Sequence, residues 1–392
     1  MKKIIATAIV ALIMPTLGAQ TKSFDALVSQ MLVTNPAIKE LNHGSEAEIQ
    51  EMKAENVLEG PELEGFHKWG NSGDRKYGVG ISQGFDWPGL YSARRQMIRN
   101  NETALGLLRN ATVTDKKTEA RALLVDLVNS KRNISILERI DSMMIDLANY
   151  YNSAYKSGQV SILDKNKIDI EVIRLGGRLT EENNRRGDIL ASIFDFCGTD
   201  QLESELLQLN SYPDAMLLSA DDYKKLAEES DPYMAYLKQA TEVNKSRGKV
   251  ASRSALPSFS LGYEWEREEG QDFNGFNIGV KFATWSNKNS RASIVASGLE
   301  NDVKIAAQSK KMMTDIDNDH STALELIKQI DKFETALNDG SHHELLLKAL
   351  KGGQINMLDY IQEVNFYLEA ELDLENMRHE YQLALSRLNR LN

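Results

Sequence analysis

The chain has one cysteine, seven prolines and four tryptophans in 392 residues. A lone thiol, Cys197, excludes an internal disulfide framework. With Phe194, Phe196 and Gly198 beside it, Cys197 reads as a small buried hydrophobe near a helix end, without a redox role. Six of the prolines follow residue 19, and long stretches contain none. That sparseness favours long helices over many short elements. Positive charge is outnumbered, with 46 Lys and Arg against 57 Asp and Glu. A net charge of −11 removes the basic footprint that a nucleic-acid partner requires. Long apolar runs are missing too. The one present, residues 4–14, follows Lys2 and Lys3 and precedes the small, helix-breaking stretch 15–19. It reads as a secretory signal over residues 1–19, too short to span a bilayer. No cysteine follows it to carry a lipid. No transmembrane helix is expected, so a membrane role would have to use β-strands.

Catalytic and cofactor chemistry is equally thin. Asp315, Asp317 and Asp319 resemble the start of a calcium loop, but His320 stands where the glycine belongs and Leu326 where the bidentate Glu belongs. His342-His343-Glu344 lacks the spacing of a zinc helix. Gly78-Val79-Gly80 opens no helix, so it is no dinucleotide loop. The six histidines are scattered, and no nucleophile, base and acid can be placed together. The sequence is expected to be no enzyme and to hold no metal and no cofactor.

What the chain does have is a duplication. Pro36 and Pro232, Pro61 and Pro257, and Trp69 and Trp265 are each 196 residues apart, and Trp87 and Trp285 are 198 apart. Gly158-Gln159-Val160-Ser161-Ile162-Leu163-Asp164 answers Gly353-Gln354-Ile355-Asn356-Met357-Leu358-Asp359 at an offset of 195. Rare residues repeating in one register mark an internal repeat. The reading divides the mature chain at the turn Ser211-Tyr212-Pro213-Asp214 into a first repeat, 20–210, and a second, 211–392.

Each repeat reads as the same series of elements. A helix over 23–34 breaks at Asn35-Pro36 and is followed by a second over 37–57. The counterpart of the second starts at Asp231-Pro232, with proline in the first turn, and runs to about Arg253. A hairpin follows at about 62–87 and again at about 258–285. In the first, Leu63, Gly65, His67 and Trp69 alternate on one face, with a turn cluster at 70–74, and Tyr77, Val79 and Ile81 face away from Gly78, Gly80 and Ser82. In the second, Phe259, Leu261, Tyr263 and Trp265 are answered by Phe276, Ile278 and Val280. Strands of this length with one apolar, aromatic-ended face fit a tilted barrel strand with lipid outside and water inside. They equally fit ordinary hairpins in a soluble sheet. Very long helices come next, at about 91–156 and 289–351, each reaching on the order of 95–100 Å. Leu137, Ile140, Met144, Leu147, Tyr151 and Ala154, and in the second repeat Leu326, Ile330, Phe333 and Leu337, have coiled-coil spacing. Gly158 and Gly353 then turn the chain into return helices at about 162–196 and 357–391, the first interrupted by Gly176-Gly177 with a bend or a close helix approach. Four strands are too few to close a barrel, and open edges cannot stand in lipid. Three chains would supply twelve strands.

This order, written twice, resembles the TolC-like outer-membrane efflux proteins. Gly60-Pro61-Glu62-Leu63-Glu64-Gly65 is similar to that family's entry to its first strand. Val79-Gly80-Ile81-Ser82-Gln83, followed by Phe85-Asp86, is similar to the exit of the second. Tyr155-Lys156-Ser157-Gly158 with Leu163-Asp164, and Leu350-Lys351-Gly352-Gly353 with Leu358-Asp359, are similar to its helix-turn-helix tips. The resemblance covers the whole mature chain. It implies a mainly α protein with a membrane β-barrel: an internally duplicated coiled-coil α-barrel carrying two β-hairpins per protomer, completed as a 12-stranded barrel in a homotrimer. It implies outer-membrane lipid around the barrel, an extension into the periplasm of a Gram-negative cell, and docking through the tips to a periplasmic adaptor (membrane fusion) protein and an inner-membrane efflux pump. The tip residues carried over are Gly158, Ser161, Leu163 and Asp164 on one side, and Gly353, Gln354, Leu358 and Asp359 on the other. Some members narrow the closed end with carboxylates three residues apart. Here Asp359 matches the first and Gln362 stands at the second. Asp359 fits equally well as a helix-start residue. The implied function is a passive exit channel gated at its tips, with heavy-metal cations among its implied cargoes. The alternative is a soluble periplasmic coiled-coil scaffold, which suits the acidic helices and a mean hydropathy of −0.41 but not the paired hairpins.

Overall fold

The computed structural model describes residues 23–71, 73, 75–282, 288–337 and 342–391. The expected signal segment, Ser72 and Asp74 of the first turn, residues 283–287 with Trp285, and residues 338–341 within the expected 289–351 helix lie outside the described residues.

The chain folds as a long layer of helices with one sheet at its end. In the first half, α1 (Phe24–Thr34) and α2 (Pro36–Ala54) lead to β1 (Glu62–Trp69) and β2 (Arg75–Phe85), then to α3 (Pro88–Lys156) and α4 (Ile162–Cys197). A short α5 (Glu203–Gln208) makes the crossing. The second half gives α6 (Ala220–Ser230), α7 (Pro232–Arg253), β3 (Ser258–Glu268), β4 (Gln271–Lys281), α8 (Lys288–Leu337), α9 (His342–Lys351) and α10 (Met357–Leu388). The 69 residues of α3 make a helix about 100 Å long. Beside α3, the shorter return helix and the entry helix are stacked end to end: α4 under α2, and α10 under α7.

The two stacking joints are built alike. Ser23 caps α1 and Ser219 caps α6, each accepting from the backbone three residues on. Asn35 and Asp231 then end one helix and cap the next, accepting from Ile38 N and Met234 N at 3.1 and 2.7 Å. Both are buried and both hold the helix below. The Asn35 amide donates to the Phe196 carbonyl at 2.7 Å, and Arg390 donates to the Asp231 carboxylate. Proline follows each cap at a position whose N–H has no helical partner anyway.

Apolar spacing decides which faces are buried. Leu137, Ile140, Met144 and Leu147 of α3 form a continuous core with Ile168 and Leu175 of α4 and with Tyr360, Val364 and Leu368 of α10. A second core at mid-length joins α1, α3, the end of α4 and the α5 crossing through Leu27, Met31, Leu124, Val128, Ile193 and Leu206. Cys197 lies in this second core, and burial pushes its thiol up. One expectation is corrected. Gly176 and Gly177 do not interrupt their helix. The α4 helix is continuous, and a side chain at either glycine would meet nothing within 4 Å. They make no close approach within the protomer.

The crossing is fastened by one lysine. Lys131 of α3 donates to the carbonyls of Leu206, Leu207 and Leu209 at 2.7, 2.8 and 2.9 Å. They lie at the C-terminus of α5, where helix carbonyls run out of backbone donors, although Leu206 O also accepts from Leu209 N at 3.2 Å. Burial, with the Arg186 charge adding to it, brings the Lys131 ammonium down to about 8. Replacing Lys131 with Met is expected to remove three hydrogen bonds from the crossing at a cost of about 1–3 kcal/mol. A lower thermal midpoint of the purified protein checks it; an unchanged midpoint would mean that the crossing does not depend on this contact.

Candidate functional site

Two regions carry surface features that the fold itself does not require: the sheet and the opposite, turned end of the helices.

The sheet is antiparallel with strand order β1-β2-β3-β4. Its middle pairing joins the two repeats: Val79 faces Trp265, Ile81 faces Tyr263 and Phe85 faces Phe259. Directly opposed residues share a face, so one face collects Leu63, Val79, Ile81, Leu261, Ile278 and Val280. These side chains are exposed. Aromatic rings bracket them. Toward the hairpin turns, His67, Trp69, Tyr77 and Trp265 form edge-to-face contacts with centroids 5.4–6.1 Å apart. Toward the helices, Trp87 lies 5.9 Å from Phe259. The opposite face carries Gly78, Gly80, Ser82, Gly262 and Gly279 among charges, with Lys76 bound to Glu266 at 2.8 Å. The second hairpin closes on Glu269-Gly270, both at positive φ, the type I′ turn that matches strand twist. Eleven-residue strands, tilted as in closed barrels, rise about 25 Å. The outer edges of β1 and β4 are unpaired among the described residues.

At the other end the chain turns twice in the same way. Gly158 and Gly353 adopt φ of +75° and +67°. At the first turn, Gln159 N donates to Ala154 O at 2.9 Å and Gly158 N to Tyr155 O at 3.0 Å. At the second, Gln354 N donates to Ala349 O at 2.9 Å and Gly353 N to Leu350 O at 3.1 Å. Both are Schellman ends, which need a left-handed residue after the helix. Ser161 and Asn356 then cap the return helices by accepting from Asp164 N and Asp359 N at 3.1 and 3.0 Å. The two turns lie side by side, because Met357 and Ile355 pack into the core that Leu147 and Tyr151 share. The expected tip residues Gly158, Ser161, Leu163, Gly353, Gln354, Leu358 and Asp359 are all exposed, and Asp164 is half-exposed. Asp359 and Gln362 sit on one open stripe of α10, which continues through Phe366, Glu369, Asp373, Asn376 and Glu380.

Sequence reasoning did not find the polar ties along α10. Arg178 of α4 holds Glu369 at 2.7 Å. Arg132 of α3 reaches Glu375 at 3.3 Å, and Arg378 reaches Glu334 of α8 at 2.6 Å. Glu371 takes both Arg139 of α3 and, at 3.3 Å, His343 of α9. His342 stacks on Tyr367 with centroids 4.3 Å apart. The only signal was an abundance of opposite charges on helices already expected to pack. Asp315, Asp317 and Asp319, the failed calcium pattern, are pulled apart by different partners: Lys311 at 3.3 Å, Lys224 at 2.6 Å and Arg387 at 2.8 Å.

This architecture matches known channel structures. It is similar to a membrane protein from Pseudomonas aeruginosa at a TM-score of 0.75 and 13% identity, over 94% of this chain and 89% of that one. It is similar to the Campylobacter jejuni CmeC outer membrane channel at 0.73 and 13%, over 94% and 85%. It is also similar to the open state of the Neisseria gonorrhoeae MtrE outer membrane channel at 0.72 and 13%, over 94% and 88%. No protein-family model and no curated protein matches the sequence. The fold is therefore that of the outer-membrane channels, a helical layer with two β-hairpins, as the resemblance implied.

The Glu371 tie gives a pH dependence. Burial works to raise this carboxyl, but the His343 hydrogen bond and the Arg139 charge outweigh it and hold it below its ordinary value. A depressed carboxyl contributes stability that is present above its unfolded pKa, about 4.3, and is lost as pH falls through the folded value. The thermal midpoint of the wild type should fall more steeply below about pH 4.5 than that of Glu371→Gln. Parallel curves for the two proteins would rule this contribution out.

Proposed function

We propose that the chain is one of three protomers of an outer-membrane exit channel in a tripartite efflux system. Three copies supply twelve strands, close the barrel in outer-membrane lipid and carry the helices down into the periplasm. The single observation behind this reading is the sheet: an open four-stranded antiparallel sheet with an exposed apolar face between aromatic rings. In water that face would be a large exposed apolar patch, and in lipid the open edges would leave several kcal/mol per unsatisfied group. Both problems vanish when the barrel closes. The likeness to the CmeC and MtrE channels supports the same reading. A soluble periplasmic scaffold would account for the helices and would leave the sheet face unexplained.

No step of covalent chemistry is required. The duct conducts passively through a wet lumen, and a pump in the inner membrane supplies the energy through a periplasmic adaptor. The tips around Gly158 and Gly353 are the docking ends, with Ser161, Leu163, Asp164, Gln354, Leu358 and Asp359 on their surface. Gating moves those tips, with Asp359 and Gln362 at the narrow end. Heavy-metal cations are the cargo class this reading favours. The open stripe of α10 carries Asp359, Glu363, Asp373 and Glu380, with Glu369 among them matched by Arg178, and rings of carboxylates in a pore favour cations.

Cell fractionation and native mass of the detergent-extracted protein test the assembly. Outer-membrane location and a mass of three chains are expected; release by osmotic shock as a monomer or dimer would hand the case to the scaffold. The tips have their own test. Valine at Gly158 or Gly353 forces a β-branched residue into the left-handed region, at a cost of about 1–3 kcal/mol. Each variant should still assemble but should lose adaptor-dependent export. Normal export by both would sink the docking assignment. For cargo, a deletion strain should become sensitive to heavy-metal salts, and unchanged metal tolerance alongside lost drug tolerance would move the cargo class to drugs.

A further inference from the structure

Within one chain, the first repeat already touches the second, and that contact is a template for the contact between chains. We propose that a neighbouring copy pairs its β1 with β4 of this one in a single register, with Ile278 opposite Trp69 and Val280 opposite His67. The proposal rests on the channel reading above and adds the register to it.

The register follows from superposing the repeats. β1 maps onto β3 at an offset of 196, carrying Trp69 onto Trp265 and Leu63 onto Phe259. β2 maps onto β4 at an offset of 199, because both hairpin registers must be kept. Trp69 faces Arg75 as Trp265 faces Asn274, and Glu62 faces Ser82 as Ser258 faces Lys281. The change from 196 to 199 arises because eight residues, 266–273, separate Trp265 from Asn274, whereas five, 70–74, separate Trp69 from Arg75. The internal pairing of β2 with β3 then has one image, β4 with β1 of the next copy. Val79 facing Trp265 becomes Ile278 facing Trp69. Ile81 facing Tyr263 becomes Val280 facing His67. On the inner face, Gly80 facing Glu264 becomes Gly279 facing Lys68.

The side chains fit these images. A β-branched residue against tryptophan is repeated in kind, and such cross-strand pairs stabilise a sheet. Trp69 and Ile278, which have no strand on their outer side among the described residues, are 76% and 77% exposed. Trp265, in the equivalent place with its neighbour present, is half-buried.

The helices repeat the logic. α10 packs on α8 and also on α3 of the other repeat, whereas α4 packs chiefly on α3. α7 packs on α3 and α8, and α2 chiefly on α3. The neighbour missing from α4 and α2 is therefore α8 of a second copy. With the tips superposed at 195, Ile173 of α4 falls on Leu368 of α10. Leu368 is 0% exposed and Ile173 is 74% exposed. On the free side of α8, Val295, Leu299 and Val303 are exposed at helical spacing.

Disulfide mapping tests the register, and the buried Cys197 leaves a quiet background. Two double variants are made, His67→Cys with Val280→Cys, and Lys68→Cys with Gly279→Cys. Opposed pairs on an antiparallel ladder sit about 4.5–5.5 Å apart at Cα, within reach of a disulfide. Oxidation in isolated membranes should give dimer and trimer bands on non-reducing gels. Yields should be at least about tenfold above those of Gly65→Cys with Val280→Cys or Trp69→Cys with Val280→Cys, whose Cα atoms lie a further strand step apart. Single-cysteine variants report assembly and should give no bands. A trimer in the outer membrane that cross-links best in a shifted pair, or in none, overturns the register and leaves the channel reading standing. A protein extracted as a monomer without detergent overturns the channel reading first. Separately, Ile173→Asp should reduce the detergent-extracted mass from three chains to one, and an intact trimer would remove α4 from the interface.

Discussion

Everything in this molecule depends on two rows of backbone groups that one chain cannot satisfy. The outer edges of β1 and β4 are open in the protomer, and the face between them is apolar. Water could satisfy the edges but not the face; lipid could satisfy the face but not the edges. Only a sheet that continues into further copies removes both costs. The helices inherit the constraint. In the proposed channel the sheet curves and closes, and the helices leading out of it follow as a layer of stacked pairs beside a helix of about 100 Å.

Duplication explains how one sequence can meet so many requirements at once. A repeat that packs well against its own image needs only one kind of contact, used inside the chain and, in the proposed trimer, again between chains. The joints at Asn35 and Asp231 show how far that economy extends. Each residue ends a helix, caps the next and grips the end of a third, and the two occupy equivalent positions 196 residues apart. The structure departs from the image in its details. One grip is an amide on a carbonyl, and the other is a carboxylate on an arginine.

Much of this was legible in the sequence, and the reasons are local. Alternation in residues 75–85 gives strand faces, proline and glycine mark the helix ends, and the repeat offset ties one half to the other. Legibility failed where partners are distant and the residues common. Nothing rare marks α6, whose charged sequence buries little beyond Tyr223 and Ala227; its counterpart α1 is recognisable by its apolar run. The three carbonyls on Lys131 and the carboxylates on Arg139, Arg178 and Arg378 could not be paired in advance, since any of several long charged side chains could have reached them. Gly176-Gly177 misled for a related reason. Glycine costs a helix about 1 kcal/mol each, which a helix packed along its whole length can absorb without breaking.

The two tips are alike in backbone and unlike in side chains, and that difference bears on what each can do. At the first, Asp164 is engaged: the Ser161 hydroxyl donates to its carboxylate at 2.7 Å and Lys167 stands 3.6 Å away. At the second, the Asn356 amide oxygen accepts from the Asp359 backbone, and the Asp359 carboxylate has no ion pair among the described residues. It heads an open acidic stripe, and the helix before it, α9, is held to the rest of the layer chiefly through α10. A free carboxylate costs nothing while it stays in water and repels its own images when copies bring it close. The first tip, with its charge already matched, has no such tension. The second combines an unmatched charge with a helix held chiefly through α10, so otherwise identical turns differ in charge and in packing.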